Sequence, residues 1–260
     1  MAVNIPLLLE NPHGGTQTPP DVVPFSIISE ADLDTDGDEF AGDLYTGYSG
    51  IFELSSAWWR AYLDPNRDTT DFGKDGVVKT HTSQEVQIYT SPEGLPQGVA
   101  KKLIQEHIVP YRERLAALVR HDVRVLACCH TMPGRGTASS ASSRDVGSLR
   151  PLAMIGTGGN TPYLQPDAAE FVSGSLRECM KQLDLEGVEF EDEVRTDDPY
   201  AGALSLGRVQ EELASREDKM GLLLEINREL VRGKPHNIEV LRTAIIRMLT
   251  ELTDGLHRQV

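Results

Sequence analysis

Two histidines far apart in the chain stand where metal ligands would be useful. His13 lies in Pro12-His13-Gly14-Gly15. The proline fixes the entry to a turn, and glycine lets the backbone come close to a ligand. His130 follows the run Val123-Arg124-Val125-Leu126-Ala127-Cys128-Cys129 and precedes a Gly-rich stretch. Neutral imidazole is the commonest metal-ligating side chain, so both are candidate ligands; the plainer readings are a loop histidine satisfied by backbone and a strand-end histidine capping a sheet. The segment Asp34-Thr35-Asp36-Gly37-Asp38-Glu39 can supply one carboxylate. Two histidines and a carboxylate leave a position open for water, as catalytic zinc requires. For most of these acidic residues a helix start is the competing reading. A calcium loop is excluded, because the sixth position from Asp34 is Glu39 and not glycine, and the twelfth is Tyr45 and not glutamate.

Two further positions carry chemistry. Glu225 ends the run Gly221-Leu222-Leu223-Leu224 and precedes Ile226. A carboxylate at the end of a buried strand is costly unless paired, liganded or used, which makes Glu225 a candidate general base; the alternative is an ion pair to Arg228 or Arg67. Asn66-Arg67 sits within Asp64-Pro65-Asn66-Arg67-Asp68. Arginine grips carboxylates through a two-pronged fork, and asparagine adds a donor beside it; a solvated turn with an Arg–Asp pair is the other option. Cys129 is a weaker nucleophile candidate, since a cysteine ending an apolar run is usually core.

The elements that must position these residues follow from pattern. Residues 5–9 and 123–129 read as buried strands running into loops, and residues 220–226 as a strongly apolar strand. Residues 58–63 read as a strand stopped by Asp64-Pro65. A weaker alternation marks 188–194 as a strand. Helices are expected over 36–48, 98–120 (kinked or split by Pro110), 167–183, 206–214 and 237–256. Residues 69–96 read as a long surface excursion and 134–148 as an irregular loop. Alternating strands and helices predict an α/β domain with a largely parallel or mixed sheet. The candidate residues then gather at the strand ends, where open α/β sheets bind ligands.

Composition bounds the rest. The chain has 260 residues, 39% hydrophobic and 25% charged, which fits one globular domain over 1–260. A formal net charge of -15 argues against nucleic-acid and anionic-membrane partners, both of which require a basic surface. There is no apolar run of membrane-spanning length and the N-terminus has no basic n-region of a signal peptide. Cys128, Cys129 and Cys179 are a poor disulfide framework. They fit a reducing, cytoplasmic location.

Taken in order, these segments resemble the N-formylglutamate amidohydrolase family. That family shows a Pro-His-Ser/Ala-Gly turn, an acidic segment ending in Leu-Tyr, Leu-Asn-Arg-Asp, Pro-Tyr-His, Asp-x-His-Ser, Asn-x-Pro-Tyr-x-Gly-Gly and Glu-Ile-x-Arg. This chain has Pro12-His13-Gly14-Gly15, then Asp38 seven residues before Tyr45, then Pro65-Asn66-Arg67-Asp68 and Pro110-Tyr111-Arg112. It continues with Cys128-Cys129-His130-Thr131-Met132, Asp197-Asp198-Pro199-Tyr200-Ala201-Gly202-Ala203 and Glu225-Ile226-Asn227-Arg228. The departures are Cys128 for the family's aspartate, Arg112 for histidine, Asp197 for asparagine and Gly14 for serine.

The resemblance implies a phosphorylase/hydrolase-like three-layer α/β sandwich, with a mixed sheet flanked by helices, related to the zinc carboxypeptidases. It implies Zn2+ or another divalent ion on His13, His130 and a carboxylate between them, with Asp38 aligning best and Asp36 second. Glu225 becomes the base acting on water that the metal activates. Asn66 and Arg67 hold a substrate carboxylate, with Arg135, Arg144 and Arg195 as further candidates, and Arg67 also helps stabilise the oxyanion. The implied reaction is hydrolysis of a small N-acyl, in the first instance N-formyl, amino acid. The alternatives are a hydrolase of another small amide, a non-hydrolytic relative binding a carboxylate or metal, and a cysteine hydrolase using Cys129.

Overall fold

A computed structural model describes residues 5–137, 145–160, 162–214 and 218–257. In chain order the elements are β1 (Leu7–Asn11), α1 (Glu30–Asp36), α2 (Ala41–Tyr45), β2 (Phe52–Ser55), α3 (Gln97–Leu103), a π turn (Ile104–Ile108) and α4 (Val109–His121). Then come β3 (Val125–Met132), β4 (Ala153–Gly156), α5 (Pro166–Met180), β5 (Val194–Thr196), α6 (Leu204–Arg208), α7 (Gln210–Ala214), β6 (Met220–Asn227), a 3₁₀ turn (Arg228–Leu230) and α8 (Pro235–His257).

The strands form one sheet in the order β2-β1-β3-β6-β4-β5. β2, β1, β3 and β6 run parallel, β4 is antiparallel to β6, and β5 is parallel to β4. The sheet is therefore mixed, as the resemblance implies. Every residue of β1, β3 and β6 is buried, because helices cover both faces, and this is why these strands read as continuous apolar runs. One face packs Leu7, Leu9, Ala127, Leu222 and Leu224 against α2, α5 and α8; the other packs Leu8, Leu126 and Leu223 against α4, α6 and α7. That is a three-layer α/β sandwich.

The excursion between β2 and α3 builds a third apolar cluster from Trp59, Tyr62, Leu63, Val77, Val78, Ile88 and Tyr89, closed by Leu103, Ile104 and Ile108. This corrects two expectations. Residues 58–63 form turns and not a strand, with the aromatic side chains turned into this third cluster. Residues 69–96 are not merely surface: Lys79, Ile88 and Tyr89 are fully buried there. Three smaller shifts have local causes. The helix expected over 36–48 forms only as α2, while α1 already ends at Asp36, the two being separated by Gly37 and the left-handed Phe40. Pro110 does not break its helix, since it falls in the first turn of α4, where its missing N–H costs nothing; the departure from α-geometry comes one turn earlier, as the π turn. Of the strand expected over 188–194 only Val194 lies in one: residues 188–193 form no strand, and β5 starts at Val194, at the sheet edge.

Candidate metal centre and active site

The parallel strands β1, β3 and β6 end on the same side of the sheet, and the candidate residues converge there. His13 lies two residues past β1. Its turn is compact because Gly15 abuts the backbone of residues 56–58: a Cβ there would meet Ala57 C at 2.4 Å and Trp58 N at 2.5 Å. His130 lies within β3 and is in register with Glu225 of β6, so both side chains leave the same face of adjacent strands. Asp38 arrives on the corner between α1 and α2. That corner turns through Phe40 at φ 69°, a left-handed conformation that a bulky side chain adopts only at a cost of about 1–3 kcal/mol. The neighbouring contacts hold it there: Thr131 Oγ1 donates to Glu39 O at 2.8 Å, and Arg232 pairs with Glu39 at 2.6 Å. Tyr45 OH, from α2, donates to His130 O at 2.9 Å.

One oxygen joins the two histidines. Asp38 Oδ2 lies 2.7 Å from His130 Nδ1 and 3.2 Å from His13 Nδ1, with the ring centroids 4.7 Å apart. All three residues are buried. His13 Nε2 lies 2.8 Å from Asp64 Oδ1, so it donates its proton there. A neutral His13 would then aim the Nδ1 lone pair at a carboxylate oxygen, which is repulsive; either a second proton or a cation between them resolves it. Two imidazoles and one carboxylate match the donor preference of a zinc-like divalent ion and leave a coordination position free. The residues therefore fit a metal, and His13, Asp38 and His130 form a group that could hold one. Asp36 is placed differently. It accepts from Lys79 Nζ at 3.1 Å and from Ser83 N at 2.6 Å, so its oxygens are already used.

The electrostatics agree with this division. Burial would raise the Asp38 carboxyl, but His13 and His130 pull it well below the ordinary range. Burial would lower His130, but Asp38 raises it on balance. Asp64, buried beside His13 and Arg60, is likewise held well below its ordinary value against burial. Glu225 behaves oppositely. Burial dominates and raises it, with His130 opposing and Asp38 reinforcing. Glu225 forms no ion pair with Arg67 or Arg228, and among the described residues nothing hydrogen-bonds its carboxyl.

His13, Asp38, His130 and Glu225 line a cavity of about 200 Å³. Asn66 sits on its wall, with its backbone N–H donating to Asp64 and its Oδ1 accepting from Ser205 N at 3.1 Å, which leaves the amide NH2 as a donor. Arg67 also lines the cavity, gripped by Asp75: Nη2–Oδ2 2.6 Å and Nε–O 2.9 Å. Arg112, from α4, donates to Pro65 O and Arg67 O and so braces this turn. Arg135 and Arg195 do not line the cavity. Arg135 is exposed and pairs with Glu189, while Arg195 is tied to Glu191, Asp192 and Asp198. Arg144 lies outside the described residues. Cys129 is fully buried, donates to Ala127 O, and has its thiol pushed well up by burial, which removes it as a nucleophile.

Sequence reasoning misses Arg60, Asp64, Arg150 and Arg228. Arg60 lies four residues before Asp64 and contacts it at 3.1 Å and Asp38 at 3.5 Å. Arg150, just ahead of the unforeseen β4, reaches the cavity with Tyr200, whose OH it meets at 2.8 Å. Arg228 is buried in the cavity wall, its Nη1 on Thr35 O and its Nε without a hydrogen-bond partner among the described residues. The Glu-Ile-x-Arg segment was the one available signal for Arg228.

Comparison with known proteins bears on the family and the fold. The N-formylglutamate amidohydrolase family model matches residues 5–232. No curated protein matches the chain in sequence. Among solved structures, N-formylglutamate amidohydrolase from Ralstonia eutropha JMP134 superposes with a TM-score of 0.73 at 20% identity, covering 99% of this chain and 96% of that one. The gene product Atu2144 from Agrobacterium tumefaciens follows at 0.60 and 12% identity, covering 98% and 91%. The solved structures share the fold, the family match spans every strand of the described sheet, and the chain belongs to the N-formylglutamate amidohydrolase family.

Proposed function

We propose that the chain is a divalent-metal-dependent amidohydrolase that cleaves the amide of a small N-acyl amino acid, with N-formylglutamate the first substrate to test. The observation that carries this reading is the convergence of His13 Nδ1 and His130 Nδ1 on Asp38 Oδ2, beside a buried Glu225 carboxyl that takes no hydrogen bond among the described residues. A metal on the three residues would supply Lewis acidity, polarising the amide carbonyl and easing deprotonation of water.

The chain's own residues do the rest. Glu225, raised by burial, takes the proton of the attacking water and returns it to the departing amine nitrogen. The cationic side chains at the wall, Arg67 and Arg60, favour the negative charge that grows on the carbonyl oxygen. Asn66 and Arg67 hold a substrate carboxylate, and Arg150 with Tyr200 and Arg228 offer further donors for a second anionic group. Asp64 fixes the tautomer of His13, an outer support of the kind that raises ligand basicity.

The test pairs metal analysis with hydrolysis of N-formyl and N-acetyl acidic amino acids. The purified chain should bind one equivalent of a divalent metal and lose turnover with a chelator. His13→Ala and His130→Ala should lose metal and activity together. Bound metal with no turnover on any substrate of the panel would favour a binding protein instead, and chelator-insensitive turnover would remove the metal from the mechanism.

A further inference from the structure

The two imidazoles are supported unequally. His13 has a carboxylate directly behind Nε2, from Asp64 at 2.8 Å. Behind His130 Nε2 stands a sulfur, Cys128 Sγ at 3.3 Å. An imidazole that gives its Nδ1 lone pair to a cation carries its proton on Nε2, so the donor here is Nε2–H and the acceptor is Sγ.

Behind the sulfur is a second carboxyl. Glu10 of β1 is in register with Cys128 of β3, so the two side chains stand side by side on one face of the sheet. Glu10 is fully buried. Tyr111 OH donates to its Oε1 at 3.1 Å, while its Oε2 is buried and takes no hydrogen bond among the described residues. A buried carboxyl with an oxygen unserved is expensive. Ser205 Oγ, 3.2 Å from Sγ, can donate to the sulfur, leaving the S–H hydrogen free to turn toward Glu10.

We infer that Glu10 and Cys128 are positioning residues for His130, the thiol linking the Glu10 carboxyl to the imidazole across the β1–β3 register where Asp64 serves His13 directly. This inference rests on the proposed metal site. It also gives a reason for cysteine at position 128: a carboxylate there would lie against the Glu10 carboxyl in the interior, and two like charges so close cannot both be accommodated cheaply.

The experiment measures zinc affinity by chelator competition, together with the melting temperature of the metal-free chain. Glu10→Gln and Cys128→Ala should each weaken zinc binding about tenfold to a hundredfold, the usual effect of removing an outer support. The double variant should bind no more weakly than Cys128→Ala alone, because the carboxyl acts only through the thiol. Cys128→Ser, which keeps one donor and one acceptor, should stay within a few-fold of the unaltered chain. Cys128→Asp should be rescued by Glu10→Gln. The metal-free melting temperature should hold or rise in Glu10→Gln, since a costly buried group is removed; a merely structural Glu10 would move stability and leave zinc affinity alone. Unaltered zinc affinity in Glu10→Gln, or a double variant weakened by the product of the two single effects, would overturn the inference. Should Glu10→Gln fail to fold, equal affinities for Cys128→Ala and Cys128→Ser would overturn it, and tenfold tighter binding by Cys128→Ser would support it. Absence of zinc binding by the unaltered chain would instead sink the proposed function.

Discussion

The cavity has two kinds of wall. One is the sheet, where His130 and Glu225 face each other across the β3–β6 register. The other is the excursion between β2 and α3, which has no regular strand or helix and carries Arg60, Asp64, Asn66, Arg67, Asp75 and Lys79. The sheet places its residues through a backbone ladder in an apolar interior. The excursion places its residues through charge: Arg60 bridges Asp38 and Asp64, Lys79 bridges Asp36 and Asp75, and Arg67 holds Asp75. The difference teaches that positioning by register tolerates loss of a side chain's charge, whereas positioning by buried ion pairs does not, because each partner removed strands another.

Substitutions can break or sharpen that contrast. The largest effect should come from the sheet wall without loss of fold. Glu225→Gln should lower kcat by about 10²–10⁴-fold, the span of a general acid–base group, with metal content and melting temperature unchanged; full activity in this variant would remove Glu225 as the base. Next is the excursion, where the loss should appear as stability. Lys79→Met leaves the buried Asp36 carboxyl unpaired and should cost about 3–5 kcal/mol in denaturant unfolding.

The same pair predicts a pH dependence. Burial raises Asp36, but Lys79, Arg60 and hydrogen bonds lower it below 3.8 on balance. A carboxyl with a depressed folded value contributes stability that is present above its unfolded value and is lost as pH falls through the folded one. Acid unfolding of the unaltered chain should therefore include a component below pH 3.8 that Asp36→Asn removes. Stability of that variant with the same pH profile would contradict the assignment.

Smaller effects should follow at the cavity rim. Arg67→Lys loses the two-pronged grip on a carboxylate and should raise KM about tenfold with kcat little changed. Smallest of all, Arg135→Ala and Arg195→Ala should leave kcat/KM within twofold, because both side chains are engaged in exposed ion pairs away from the cavity. A marked rise in KM in either would return it to the substrate site.

The same contrast explains what could be read from the sequence. β1, β3 and β6 were legible because burial on both faces makes continuous apolar runs, and His130 and Glu225 were legible because they interrupt such runs. His13 stood out through its Pro and Gly neighbours. β4 was not legible: Ala153–Gly156 is four residues long and follows an irregular stretch. Nor were Arg60 and Asp64, whose meaning depends on contacts with Asp38 and His13 across 22 and 51 residues. Glu10 carries the same signal as Glu225, a carboxyl at the end of an apolar run, but the expected strand stopped at residue 9 and left it outside. Residues 58–63 misled because aromatic and apolar side chains pack equally well from turns. Among the described residues no helix is long and apolar enough to cross a membrane.

The central claim is that His13, Asp38 and His130 share one metal ion. Anomalous X-ray diffraction at the zinc edge, on crystals of the active purified chain grown with zinc, tests it most directly. A single strong peak is expected within bonding distance of His13 Nδ1, His130 Nδ1 and a carboxylate oxygen of Asp38. Crystals of protein that hydrolyses the amide but shows no peak between those three side chains would contradict it.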